Sequence, residues 1–226
     1  MGKSVPDISD RNTAVSHRQK IIKGLISAIS FGIGPILSEY LPDAKLKKLE
    51  SIIQQVNENL EQLEGQIDED YIKRDEVLCL IEKTFRMISD TSDANKLMAL
   101  KNALVRVMVD KNIEVDRKDF YINLLNDLTA FHFRMLSVMY DTDGYLKINN
   151  RTISDSMMGG RIDFFKEAIP DMNQEEISLV YDDLVAKRLV QSTSLGAMIS
   201  ASGVRALKGL ETKFGQEFMN FFKQWK

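Results

Sequence analysis

Proline and glycine are scarce: 4 and 12 in 226 residues, too few for a collagenous or low-complexity chain. A single cysteine, Cys79, excludes an intramolecular disulfide, and two histidines, His17 and His132, cannot build a usual zinc site. A reducing, cytoplasmic setting is the simplest one that fits. Charge of neither sign dominates. Thirty basic side chains against 33 acidic ones leave a net −3, so no global basic field gathers nucleic acid. Residues 1–20 are polar and carry Asp7, Asp10 and Arg11, the wrong make-up for a secretory signal. What is present is ordinary for a globular protein. Hydrophobic residues make up 44% and charged ones 28%, at a length that buries a core in one large domain or two small ones.

Residues 1–16 read as a flexible tail, and residues 17–41 as a hydrophobic amphipathic segment. Between Lys23 and Glu39 runs an uncharged stretch from Gly24 to Ser38. As helix it would extend roughly 22 Å at 1.5 Å per residue, short of a bilayer core of about 30 Å. Gly34-Pro35 kinks or breaks it. Ile22, Leu25, Ile26, Ile29, Ile33, Ile36, Leu37 and Tyr40 follow the spacing of one helical face. Gly24, Ala28 and Gly32 form a small-residue ladder that lets helix backbones approach closely. A buried core helix, an interfacial membrane helix and a pore-lining helix of an oligomer all satisfy this pattern. Leu25, Ile29, Gly32 and Ile33 are the candidate membrane or pore residues.

Residues 42–141 read as a helical, partly coiled-coil domain. Pro42 and Asp43 suit a first helical turn. Leu46, Leu49, Ile53, Val56, Leu60, Leu63 and Ile67 then alternate spacings of three and four, an apolar seam of three heptads. Such a narrow seam pairs helices, within the chain or between subunits, and Leu49, Val56, Leu60 and Leu63 are the candidate oligomerisation residues. Helices are predicted from Arg74 to Ile88, with Val77, Leu78, Ile81, Phe85 and Ile88 inward, and to about Val109. The polar cluster from Ser89 to Asp93 separates them and caps the second. A fourth helix, capped by Asp116, is expected to bury Phe120, Leu124, Leu125, Leu128, Phe131, Met135, Leu136 and Met139 without a break. Asp141-Thr142-Asp143-Gly144 is expected to stop it as a turn.

Residues 142–226 have a different grain. Ile162–Ile169 is a short amphipathic helix ending at Pro170. Asn173-Gln174-Glu175-Glu176 is a capping-box signature, followed by Ile177, Val180, Leu184 and Leu189 at helical spacing. Arg188-Leu189-Val190 leads into an extended stretch, Leu195-Gly196 reads as a hairpin tip, and Met198-Ile199 returns. Ser202-Gly203 opens a final helix, ending at Trp225, with Val204, Leu207, Leu210, Phe214, Phe218 and Phe221 inside. Helix, helix, small wing, helix is the order of a winged-helix module. The expected fold is mainly α: a helical bundle with a long heptad-patterned helix and a C-terminal winged-helix-like module.

Catalytic and cofactor sites fail one after another. His132 lies in the apolar stripe Phe131-His132-Phe133, the setting of a core histidine rather than a base. Cys79 sits between Leu78 and Leu80 with no basic neighbour, as a buried inert thiol would. Asp141-Thr142-Asp143-Gly144 brings its glycine too early for a calcium loop. Gly32-Ile33-Gly34 lacks a preceding strand and third glycine, and Gly159-Gly160 lacks the Lys-Ser/Thr of a phosphate loop. The expectation is no enzyme, no cofactor and no metal. Residues 151–226 carry ten basic and ten acidic side chains. The would-be recognition helix holds Glu175, Glu176, Asp182 and Asp183 against Lys187 and Arg188 at its far end, which opposes phosphate contact.

Residues 89–140 carry Lys96-x3-Leu100-x-Asn102, then Phe120-x3-Leu124-Leu125-x2-Leu128-Thr129-x2-His132-x2-Met135-Leu136. This pairing resembles the helical block of bacterial abortive-infection alpha-type proteins. In that family a hydrophobic, glycine-containing helix lies upstream, and a winged-helix tail often ends in Thr-x2-Gly, where this chain has Ser200-Ala201-Ser202-Gly203. The resemblance implies a cytoplasmic phage-defence protein that arrests or kills the infected host, and it brings no catalytic residues. Three functional expectations stand side by side. One is an oligomeric defence effector acting through residues 21–41, peripheral to or inserted in the inner membrane. Another is a helical adaptor or sensor for a protein partner or phage trigger. The third, disfavoured by charge, is a DNA-binding regulator.

Overall fold

The computed structural model describes residues 51–56, 58, 59, 63, 68–154, 159–198 and 203–222. From Glu69 onward its described elements are nine α-helices: α1 (Glu69–Ile72), α2 (Asp75–Asp90), α3 (Ala94–Val109), α4 (Val115–Asp127), α5 (Ala130–Tyr140), α6 (Thr142–Ile148), α7 (Arg161–Ala168), α8 (Gln174–Ala186) and α9 (Lys213–Phe221). A 3-10 helix, Gly203–Leu207, precedes α9. The mainly-α expectation is met. The described residues divide into two units, one built from those at 51–91 with Leu100–Ile122, the other from Ser92–Ala99 with those at 123–222; α3 and α4 contribute to both.

In the first unit, residues 51–56, 58 and 59 are helical, and Leu63 lies in a turn. Ile52, Val56 and Leu63 are buried. Ile53, the expected seam residue, is only half-buried and its neighbour Ile52 faces inward instead; Leu46, Leu49, Leu60 and Ile67, and the whole segment bearing Leu25, Ile29, Gly32 and Ile33, lie outside the described residues. Asp75 and Glu76 occupy the first turn of α2, where carboxylates complement the helix dipole. Its buried face is Val77, Leu80, Ile81, Phe85 and Ile88, closed by Thr84, whose hydroxyl donates to the Leu80 carbonyl at 2.7 Å. Cys79 is exposed, against the expectation of a buried thiol. Helical rotation decides this: Cys79 shares the outward face with Arg86, and its apolar neighbours in sequence point elsewhere. Asp93 Oδ1 accepts the Lys96 N–H at 2.8 Å and caps α3, as the polar cluster suggested.

The expected fourth helix is two helices. Thr129 has extended φ and ψ of −85° and 172°, which ends α4 and begins α5. Asp116 lies in the first turn of α4 rather than capping it, and Phe120 is 54% exposed. Asp141-Thr142-Asp143-Gly144 is not a plain turn either. Asp141 Oδ1 accepts the Gly144 N–H at 3.2 Å, so the same residues that stop α5 cap α6. A short polar residue after an apolar stripe can open the next helix as well as close the last: Asp141 caps α6 with its own side chain, and Thr129 stands in extended backbone at the start of α5.

The second unit packs α5 against α6 and α8, and α7 against α8 and the 3-10 helix. The capping box of α8 is present in full: the Asn173 side chain accepts the Glu176 N–H at 3.0 Å, and Glu176 accepts the Asn173 N–H at 2.8 Å. Ile177, Val180, Tyr181 and Leu184 face inward from it. The expected hairpin is rearranged. Val190 pairs antiparallel with Glu211, and Met198 with Gly160, as isolated bridges. The continuous final helix is also broken. Gly209 turns the chain with φ of +78°, and Thr212 starts α9 afresh by accepting the Gly215 N–H at 2.9 Å. Tyr140 Oη ties this region down, donating to the Leu189 carbonyl at 2.6 Å and accepting the Thr212 N–H at 3.3 Å. The burial expected of the final helix largely holds, with Leu207, Leu210, Phe218 and Phe221 all buried. Phe218 and Phe222 meet edge-on at 4.9 Å between centroids, and Phe133 adds a second edge contact at 6.0 Å.

Gly215 is required by this packing, because a Cβ there would overlap both the Leu189 carbonyl oxygen and Tyr140 Oη. Backbone cannot yield as a side-chain tip can. Gly215→Ala is therefore expected to destabilise the protein by about 1–3 kcal/mol, read as a lower midpoint in urea with an unchanged slope.

Candidate functional site

Polar side chains of the second unit converge at the α4–α5 junction. The C-terminus of α4 leaves carbonyls without helical partners. Lys96, one turn into α3, reaches them: its Nζ donates to Asn126 O at 2.7 Å and Leu128 O at 2.8 Å. Burial depresses the Lys96 pKa, with Asp127 and Asp93 opposing. The start of α5 is satisfied from within. The Thr129 N–H donates to His132 Nδ1 at 3.2 Å, and Thr129 Oγ1 lies 2.7 Å from the same nitrogen. An imidazole nitrogen that accepts an N–H carries no proton, so His132 is the Nε2–H tautomer, assigned from this network.

On its far side His132 faces α8. Nε2 lies 2.9 Å from Asp183 Oδ2, yet it makes no directed hydrogen bond, because the ring N–H points off the oxygen. Asp183 Oδ1 is held 3.0 Å from Lys187 Nζ one turn later. Burial holds the His132 pKa below its ordinary 6.5; Asp183 opposes the shift, and Lys187 and Lys96 add to it. Hydroxyl, imidazole and carboxylate thus stand in the order of a nucleophilic triad. The chemistry does not follow from the order. The imidazole lone pair is already engaged by a backbone N–H, and the Nε2–H misses the carboxylate. This arrangement supports a helix-capping role, in keeping with the core-histidine expectation.

The first unit holds a second buried cation. Lys118, on α4, is wholly buried. Its Nζ donates to Tyr71 Oη, to the Asp110 carbonyl and, at 3.3 Å, to Val107 O, closing the C-terminus of α3. It also lies 4.8 Å from the Tyr71 ring centroid. Burial pushes the amine down to about 8, with Asp110 opposing and Arg106 adding to the shift. The same Asp110 pairs with Arg106 at 3.3 Å. Nothing in the local sequence marks Lys118, which sits among Asp116, Arg117 and Asp119 like any solvated charge. Its one signal is the fall of a lysine on the inward face of an amphipathic helix.

The outward face of α8 has another character. Glu175, Leu179, Asp182 and Ala186 are exposed at spacings of four, three and four, with Leu179 at 72%. No basic side chain stands in this row.

Of the residues expected to carry function, Val56 and Leu63 are buried inside the first unit, and Leu25, Ile29, Gly32, Ile33, Leu49 and Leu60 lie outside the described residues. Among the described residues, no helix is long and apolar enough to cross a membrane, and no cluster of three or more His, Cys, Asp or Glu side chains is placed to hold a metal ion. No protein-family model matches the chain, and no curated protein or solved structure matches it either.

Two outcomes follow from the buried cations. Lys96→Met leaves two carbonyls without their donor and should cost about 1–3 kcal/mol in urea unfolding. Lys118 holds its proton less tightly folded than unfolded, so the unfolded chain binds more protons between pH 8 and 10.5. The contribution of Lys118 to stability therefore rises with pH across that window. Relative to Lys118→Met, which cannot titrate, the native protein should gain about 3 kcal/mol between those limits.

Proposed function

We propose that the chain is a non-enzymatic interaction protein of the phage-defence kind, whose C-terminal half recognises a protein rather than DNA. The observation that carries this reading is the outward face of α8. The order α7, α8, the Gly160–Met198 bridge and α9 supports a winged-helix-like arrangement with α8 in the recognition position. That helix presents Glu175 and Asp182 around Leu179, and carboxylates repel phosphates. An acidic row around one exposed leucine suits a protein surface carrying basic side chains and an apolar socket. The capping roles of Lys96 and His132 support the rest: these positions of the abortive-infection-like pattern serve architecture. The defence role itself rests on that resemblance.

In this reading the chain self-assembles through its heptad positions, and residues 21–41 act on the membrane. The sequence pattern supports both steps. A helical adaptor that uses the α8 face without touching a membrane is the second reading, favoured by the burial of Val56 and Leu63 within the unit.

Phage challenge of bacteria expressing the chain tests the proposal. Protection should fall at least about tenfold in plaque counts for a Leu179→Arg, Asp182→Arg variant that retains its melting temperature; tenfold corresponds to about 1.4 kcal/mol of lost contact. Liposome dye leakage lost on removal of residues 1–41 would establish the membrane step. Full protection by the α8 variant, together with a low-salt gel shift of duplex DNA, would overturn the proposal in favour of a DNA-binding regulator.

A further inference from the structure

We propose that His132 is a proton-operated coupling between α5 and α8, which caps α5 when neutral and exchanges that cap for an ion pair with Asp183 when charged. The inference is independent of what α8 binds. It rests on two contacts made by one ring. Nδ1 is the acceptor for the Thr129 N–H at 3.2 Å, with Thr129 Oγ1 at 2.7 Å. Nε2, buried and without a directed hydrogen bond, stands 2.9 Å from Asp183 Oδ2.

Protonation of this tautomer takes place at Nδ1. The new N–H then confronts the Thr129 N–H, donor against donor, and the backbone group at the start of α5 loses its acceptor. Thr129 Oγ1 can turn to accept the new proton, so the ring stays in place while the backbone cap is lost. On the other side the imidazolium gains an opposite charge in Asp183, and the off-axis contact becomes a charge-assisted one. The charged groups acting on the ring are Asp183 and Lys187 from α8 and Lys96 from α3. Lys187 competes for the same carboxylate, and both lysines oppose the imidazolium. Burial of the ring weighs in the same direction, so the neutral, capping state holds at neutral pH and the exchange lies on the acid side of 6.5. The sign for stability follows. The unfolded chain takes up the proton first, so stability conferred by neutral His132 is present above 6.5 and declines as pH falls toward the depressed native value.

The experiment is a pH titration of the full chain by NMR, with ¹⁵N-labelled histidine and amide exchange measured on the same samples. Only two histidines are present, so His132→Asn assigns the signal by its loss. The expected result has three parts. The ring is the Nε2–H tautomer at neutral pH, it titrates below 6.5, and the Thr129 amide protection factor drops about fivefold with the same midpoint, the size of one lost cap. In His132→Asn, whose amide oxygen accepts at every pH, Thr129 protection becomes independent of pH. Asp183→Asn serves if that variant fails to fold, and it should move the His132 midpoint further down. An Nδ1–H tautomer at neutral pH, a midpoint at or above 6.5, Thr129 protection that ignores the titration, or a midpoint unmoved by Asp183→Asn would each overturn the proposal.

Discussion

Helix ends that stop inside a core are the constraint on which this structure depends. Every α-helix leaves four N–H and four C=O groups without helical partners, and each costs about 1–3 kcal/mol if buried unsatisfied. A chain of long helices meets this problem seldom. Here the described helices run from 4 to 16 residues, so ends are frequent and many must find partners within the protein. The solutions recur along the chain. Asp93, Asp141, Asn173 and Thr212 cap N-termini through their own side chains, and His132 does so from inside its helix. Lys96 and Lys118 close C-termini from neighbouring helices.

The two lysines show how far burial can alter one device. Lys96 is half-buried and bridges two carbonyls at the end of α4, 30 and 32 positions away in the chain. Lys118 is enclosed entirely, and its charge is tolerated because three oxygens and the Tyr71 ring replace water around the amine. Such a cation is positioned by packing and in turn positions what it touches: α1 through Tyr71 and the end of α3 through two carbonyls. Stability and placement come from the same bonds, so neither lysine is a free chemical group. Reactivity would require opening the structure around it.

The same accounting separates structural polar groups from those available for recognition. At the α4–α5 junction Thr129, His132, Asp183 and Lys187 each have a partner or a near partner, which leaves little to offer a ligand. Glu175, Leu179 and Asp182 on the far side of α8 are exposed, and the inward face of that helix is fixed by Ile177, Val180 and Leu184. A helix anchored on one face by core packing and at its start by a full capping box presents the other face rigidly. This is why its charge pattern bears more heavily on the functional proposal than any buried residue does.

Much of the helical layout was legible from local chemistry. The inward faces of α2 and α8, the Asp93 cap and the Asn173–Glu176 capping box depend on residues within a few positions of one another, and apolar spacing and cap chemistry act at that range. The misread places share a different cause. Thr129 and Asp141 were ambiguous because a polar residue after an apolar stripe suits a continued surface, a stop or a new start. Cys79 followed helical rotation and not its neighbours in sequence. The two expected arms of one hairpin found other partners, Val190 with Glu211 and Met198 with Gly160, a choice among extended segments that local propensity does not rank. Lys118 and the His132–Asp183 contact were beyond reach for the same reason, since they join residues 47 and 51 positions apart. By itself the sequence determined that the chain is mainly helical and where several apolar faces lie, because those depend on periodicity along one chain. Only the tertiary structure decided which polar groups meet, because a buried donor takes whichever acceptor the packing of helices brings within 3 Å.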